Sequence, residues 1–509
     1  MAAIVIFDFQ NCLILTLLCL FTSLFIFAFV FHYKKQNNGI DLPPSPPSLP
    51  IIGHLHLLLT APLGLAPLHK CFHKISSKYG PFLHLRIFHV PVVLVSSASV
   101  AYEIFTGHDI NISFRGAVAI DESHVFGSYS FFRAPYGDFW KLMKKLMVTH
   151  MTGPHAVEKS RDTRATELQG FYKNLLDKAT KNKSVEIGEE LRRVVINILG
   201  KSMAITFSEG EEVMEFVNEL TALSPMFFVA QIFHKPLEKL GISLLKYNIM
   251  EVSDRFDGLW EGIIVKHEEK VDSLLAVYPD ESAKSEVTRN HIKSLGAELF
   301  FAAGDTSSQT ARWAMAEILN NPKIFERLRE EIDSVVGKTR LIQENDLPKL
   351  PYLLAVIKET LRFHPVAPVY SREFTQGCRI RGFYIPKGTS LAINAYTIMR
   401  DPEFWNDPDE FQPERFLGQD EETREKALKF LAFGAGRRAC AGSNLGYILA
   451  QTIVGVMVQC FDWEIEGGEN VKTEEASGLR FFMAMAHPLK CTLLPRDINL
   501  NIREADEVV

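Results

Sequence analysis

The stretch Phe433-Gly434-Ala435-Gly436-Arg437-Arg438-Ala439-Cys440-Ala441-Gly442 sets one cysteine in a glycine-rich loop just ahead of an apolar helical run, residues 445–458. Two readings compete for it. As a GxGxxA dinucleotide fingerprint, it would follow a strand at 430–433 and use Asp462 as the distal acid. That reading places the motif too near the end of a 509-residue chain for the rest of a doubly wound sheet, and it gives Cys440 and the two arginines no task. In the second reading Cys440 is a metal ligand. Gly434 and Gly436 reach backbone angles closed to other residues and let the chain lie close against a flat group. The helix that follows brings its partial positive end toward the sulfur and is expected to lower the thiol pKa. Amides of the loop are placed to donate to the sulfur. Arg438, two residues before the cysteine, reaches an anionic edge of the same group.

Outward from the loop, the chain is globular, with 47% hydrophobic and 23% charged residues and 37 Phe. Its 55 Lys and Arg against 61 Asp and Glu give a net charge of -6, which provides no general cationic field for nucleic acid. Seven widely spaced cysteines without a CxxC pair argue against a disulfide framework or a structural zinc site. Residues 12–31 carry no charge and are long enough as a helix to cross roughly 30 Å of hydrocarbon. With Lys34 and Lys35 following, the expected topology is a single-pass anchor with the body on the cytoplasmic side. A cleaved signal peptide fits less well, because its apolar region is usually shorter and no AxA-type site follows Phe31. The sequons at Asn111 and Asn182 are then expected to be bare. Pro43, Pro44, Pro46, Pro47 and Pro50 read as a stiff spacer between anchor and body. The division expected is residues 1–33 as anchor, 34–53 as hinge and 54–509 as one large domain, since no repeat or second linker interrupts the body.

Strands are few: one hairpin is expected at 82–88 and 92–95, and another at 379–385 and 390–394 around Lys387-Gly388. Helical patterning dominates, above all at 291–320, where Ile292, Leu295, Leu299 and Ala302 follow helical spacing and Pro322 ends the run.

The loop resembles the haem-ligand signature of the cytochrome P450 superfamily, FxxGxRxCxG, at all five fixed positions: Phe433, Gly436, Arg438, Cys440 and Gly442. Three further segments are similar to family motifs in order and spacing. Glu359 and Arg362 resemble ExxR, residues 411–416 resemble the PERF box, and Trp140 with Lys144 resembles WxxxR. The likeness covers nearly the whole chain and, with the anchor and proline hinge, points to plant microsomal members. It implies a mostly helical haem-thiolate fold with minor sheet and one N-terminal transmembrane helix, haem b as cofactor, and Cys440 as the iron ligand. Trp140, Lys144, Arg372 and Arg438 are implied donors to the haem propionates, with Phe433 beside the cysteine loop. Glu359, Arg362 and Arg415 are expected to form a buried structural network.

On the long helix, residues 302–307 resemble the oxygen-activation motif (A/G)GxDT(T/S). The resemblance makes Thr306 and Asp305 the catalytic alcohol and acid that pass protons into a pocket otherwise closed to water. The plainer reading has the Thr306 hydroxyl satisfied by the carbonyl of Ala302 and Asp305 solvated. Several positions depart from the pattern: Ala303 stands at the usual glycine, Gly304 at the variable position, Lys144 at the usual arginine, and Ala441 and Ala432 where prolines are frequent. What is implied is a monooxygenase of the endoplasmic reticulum that uses O2 and electrons from a separate NADPH-cytochrome P450 reductase. The reductase is expected to dock near Lys141, Lys145, Lys429 and Arg437. The expected substrate is a bulky apolar plant metabolite, triterpenoid or flavonoid-like, lined by residues near 112–132, 224–233, 300–304, 366–370 and 479–482. A thiolate-haem lyase or isomerase, or a non-catalytic haem carrier, would have no use for the acid and alcohol pair.

Overall fold

The computed structural model describes residues 41–59, 66–116, 130–203, 206–223, 246–266, 289–418, 429–468, 470–478 and 480–497, with 16 and 20–24 besides. The expected anchor lies almost wholly outside these residues, as do the substrate-facing stretches at 117–129 and 224–233. Among the described residues, no helix is long and apolar enough to cross a membrane.

The helix Ser443–Cys460 is buried without interruption from Leu449 to Cys460, as a helix that is apolar all round must be. Around it pack Arg161–Thr180, Pro322–Val335, Pro351–Phe363 and, with Ile187–Ser202 on its other side, the 32-residue helix Arg289–Asn320, and together they form the main core. This long helix, Arg289–Asn320, runs about 48 Å at 1.5 Å per residue. Prolines mark the starts of Pro322–Val335 and Pro351–Phe363, where the missing N–H would be unpaired anyway. At the start of Ile187–Ser202, Glu186 accepts from the amides of Gly188 and Glu189, closing two of the open donors of a helix end.

Two helices rest in notches on the long helix. A side chain at Gly296 would meet the Trp260 ring at 2.2 Å, and one at Gly304 would meet Met214 Sδ at 2.7 Å. The two glycines lie eight residues apart and so share a face. Helix Lys246–Lys266 presents Trp260, and Phe207–Ala222 presents Met214; both side chains are buried. Gly304 at the variable motif position therefore has a packing reason that the sequence pattern does not carry.

The sheet content is minor, as expected, but the second hairpin differs from its sequence reading. Cys378–Ile380 pairs with Phe383–Ile385 around Arg381 (φ 51°) and Gly382 (φ 84°), the left-handed pair of a tight hairpin turn. Ser390–Asn394 instead enters a four-stranded sheet, parallel to Val90–Val95 and antiparallel to Val369–Glu373. The first hairpin, Phe82–Ile87 with Val90–Val95, forms as read. The proline segment is also more than a spacer. Pro43, Pro46 and Pro50 are buried, the Pro44 carbonyl accepts from the His84 amide at 2.8 Å, and the Asp41 carbonyl accepts from the Tyr384 amide at 2.7 Å.

Candidate functional site

The cysteine loop is held from three sides. Gly434 (φ 69°) and Gly436 (φ 70°) take the left-handed region, where a β-carbon is costly. At Gly436 a β-carbon would also strike Asp109 Oδ1 at 2.2 Å. Asp109 accepts from the Arg437 amide at 3.1 Å and pairs with its guanidinium at 3.2 Å. From the strand Val369–Glu373, the Tyr370 hydroxyl donates to the carbonyls of Leu431 and Ala432. The Cys440 amide donates to the Phe433 carbonyl at 2.9 Å, closing the loop, while the Phe433 ring packs on Tyr447 at 4.9 Å. Cys440 as a residue is exposed, yet the atoms crowding its thiol make the charged form costly. Burial pushes the thiol pKa up, against the Gly442 amide and the Arg115 charge, which pull it down. This corrects the expectation of a lowered thiol in the metal-free chain: desolvation outweighs the Gly442 amide and the Arg115 charge. A bound metal cation would itself hold the sulfur as thiolate.

Beside the loop, three guanidinium groups converge. Arg438 donates to the carbonyls of Ser113 (2.7 Å) and Ala134 and lies 4.7 Å over the Trp140 ring. Arg372, buried on its strand, donates to the Ser371 carbonyl at 2.8 Å. Arg115 donates to the Phe132 carbonyl at 3.1 Å and stacks 3.5 Å over that ring, while its Nε is buried with no partner. Burial pulls Arg372 down to about 10 and, with Arg372 as a like-charged neighbour, Arg438 to about 10. Arg115 falls well below the usual range for burial first and then the repulsion of Arg372 and Arg438. The indole N–H of Trp140, stacked on Phe131, is likewise buried without a partner. Buried like charges and an orphaned donor call for an anion, and the two carboxylates on one edge of haem fit that demand. Arg115 was not singled out from the sequence, because nothing in residues 111–116 marks it before the fold brings it to Arg372 and Arg438.

Lys144 is placed differently from its sequence reading. Its Nζ donates to the Arg437 carbonyl at 2.9 Å and lies 5.0 Å over the Trp140 ring, so one of its donors straps the cysteine loop. Desolvation, then Arg438, lowers its pKa.

On the long helix the Thr306 hydroxyl donates to the Ala302 carbonyl at 2.6 Å, as in the plainer of the two readings. A hydroxyl has one donor and two acceptor lone pairs, so its accepting side stays open. Burial raises the Asp305 pKa, and the charges of Arg192 and Arg480 oppose it. The acid is therefore not merely solvated. Nearby, Phe301 meets Phe132 at 6.4 Å, Phe481 at 6.4 Å and Phe482 at 5.6 Å between ring centroids, an apolar wall near Asp305 and Thr306 on the long helix. Two positions in the expected substrate lining face elsewhere. Phe300 is buried in the main core, and Tyr370 lies beneath the cysteine loop.

The expected structural network is formed. Arg362 makes a two-pronged contact with Glu359 at 2.7 and 2.8 Å, and Arg415 reaches the same carboxylate at 3.2 Å; Glu359 and Arg362 are fully buried. Arg362 also donates to the carbonyls of Met399, Pro408 and Glu410, which ties its helix to the segment below the cysteine loop. Of the cations expected at a docking face, Lys141 pairs with Asp138 at 3.0 Å and Arg437 with Asp109.

The cytochrome P450 family pattern matches residues 43–493. Cytochrome P450 705A1 of Arabidopsis thaliana is 55% identical, covering 97% of this chain and 98% of its own length. Cytochrome P450 93A3 of Glycine max is 35% identical over 94% of this chain and 97% of its own. The 3,9-dihydroxypterocarpan 6A-monooxygenase of Glycine max is 34% identical over 94% of this chain and 97% of its own. With the family pattern spanning most of the chain and more than half of its residues identical in a full-length relative, this chain belongs to the cytochrome P450 family of haem-dependent monooxygenases.

Proposed function

We propose that this enzyme inserts one oxygen atom of O2 into a bulky apolar plant metabolite, triterpenoid or flavonoid-like, with electrons from NADPH passed on by a separate reductase. The wall formed by Phe132, Phe301, Phe481 and Phe482 carries the substrate class. It offers apolar ring surface of the kind that lines small-molecule sites. The Glycine max relative named for a dihydroxypterocarpan supports a ring system of that size.

Haem, when bound, supplies the activation of dioxygen. The chain's own residues hold and surround it. Cys440 would bind the iron, Phe433 would lie beside the cysteine loop, and Trp140, Arg115, Arg372 and Arg438 would receive the carboxylates, with Lys144 bracing the loop. Asp305 holds a proton on the flank of the long helix, and Thr306 receives and passes it on the cavity side. Residues 1–33 would anchor the protein in the endoplasmic reticulum with the body, residues 54–509, in the cytoplasm. The reductase would approach the face bearing Lys145, Lys429 and the loop. Measuring NADPH consumption together with oxygenated product, with and without reductase, tests the reading. Product formed without reductase or NADPH would instead mark a lyase or isomerase.

A further inference from the structure

Glu298 lies on the long helix two turns before Thr306 and is buried. Its Oε1 accepts from the Ser130 hydroxyl at 2.6 Å and from the Phe132 amide at 2.9 Å, while Oε2 is buried without a partner. The segment it grips carries much of the site. Carbonyls of Phe131, Phe132 and Ala134 accept from Arg438, and Phe132 both accepts from Arg115 and faces Phe301. We propose that Glu298 is a positioning residue for the substrate cavity: it ties residues 130–134 to the long helix and so fixes the Phe132 wall opposite Phe301. The proposal rests on the haem-monooxygenase reading, since that cavity is its substrate site.

The charge state of Glu298 gives the tie a signature that packing alone lacks. Burial raises its pKa to about 7, against the Ser130 and Phe132 hydrogen bonds and the Arg115 charge, which lower it. The other charged group facing it is Arg438, with Arg372 and Arg133 gathered around Arg115; on its own helix His291, Lys293 and Asp305 are one or more turns away. Released into water, the carboxyl returns toward about 4.3. The gripped state therefore binds the proton more tightly, so the tie is strongest at low pH and weakens as pH rises toward the gripped pKa.

The probe is an N-benzyl-1,2,4-triazole, whose ring nitrogen stays unprotonated between pH 5.5 and 8, titrated into the full-length holoenzyme and read by the haem absorption shift. With the wall fixed, the binding-competent fraction is higher. The wild-type Kd is expected to rise by about threefold or more from pH 5.5 to 8. Glu298→Gln keeps the acceptor and cannot ionise, so its Kd should stay flat at the wild-type low-pH value. Ser130→Ala removes a donor that favours the carboxylate, so the midpoint of its pH profile should move up. A flat wild-type profile, a Glu298→Gln profile with the wild-type slope, or an unmoved Ser130→Ala midpoint overturns the proposal. If Glu298→Gln yields no holoenzyme, the Ser130→Ala midpoint decides. Loss of the thiolate absorption band in the wild type itself would instead sink the underlying haem reading.

Discussion

At the scale of single residues, Cys440 and Thr306 carry the sharpest expectations. Cys440→Ser replaces a thiolate by a hydroxyl, a poor anionic ligand for haem iron, so the strongly red-shifted band of the reduced carbon monoxide complex should disappear; an unchanged spectrum would mean that another residue holds the metal. Thr306→Ala should retain haem and that band. Its loss is the alcohol that passes the proton, a function that typically contributes about a hundredfold to ten-thousandfold in rate. NADPH should still be consumed while product per NADPH falls and hydrogen peroxide rises, and coupling at the wild-type level would leave Thr306 an ordinary helix residue bonded to Ala302. The cysteine was legible in the sequence because its signature is short and local. The cationic pocket was legible only in part. Trp140, Arg372 and Arg438 lie in or near motifs, whereas Arg115 acquires its role from neighbours more than 250 residues away in sequence, Arg372 and Arg438. Lys144 shows the opposite limit: the motif names the position, but its contact with the Arg437 carbonyl depends on where the loop backbone runs.

Among the elements, the two glycine notches separate what periodicity can reveal from what packing decides. Helical spacing predicted the long helix to within two residues of its start. It did not explain Gly304, because the reason is Met214 on another helix. The notches should respond differently to a methyl group. At Gly304 the obstacle is the flexible end of a methionine, which can swing aside, and replacing Gly in a helix gains about 1 kcal/mol. Gly304→Ala should therefore leave stability within about 1 kcal/mol of wild type. At Gly296 the obstacle is a rigid indole at 2.2 Å, and overpacking of that kind costs about 1 to 3 kcal/mol. Gly296→Ala should lower the melting temperature of the holoenzyme clearly more than Gly304→Ala; equal values would mean that Trp260 is free to shift. The second hairpin was misread because Lys387-Gly388 and Arg381-Gly382 are both plausible turns. Pairing of Ser390–Asn394 with Val90–Val95 is a long-range choice that local turn chemistry cannot make.

For the whole molecule, the composition, the helix-rich pattern and the motif order predict one large domain. They missed that the proline stretch is part of it. Removing residues 1–33 should release the protein from membranes while leaving haem binding intact. Cutting through residue 53 would also strip the Asp41 and Pro44 hydrogen bonds to Tyr384 and His84 and the burial of three prolines, and should lower the melting temperature measurably. Equal stability of the two truncations would return the segment to a passive spacer. The two notches, finally, bear on how the helices that carry Trp260 and Met214 can travel. A knob seated in a hole has detents: it cannot creep along the groove but must lift out and drop into the next one. Rearrangement of these helices to admit a large guest should then proceed by jumps, and hydrogen exchange should report residues 207–222 and 246–266 letting go together.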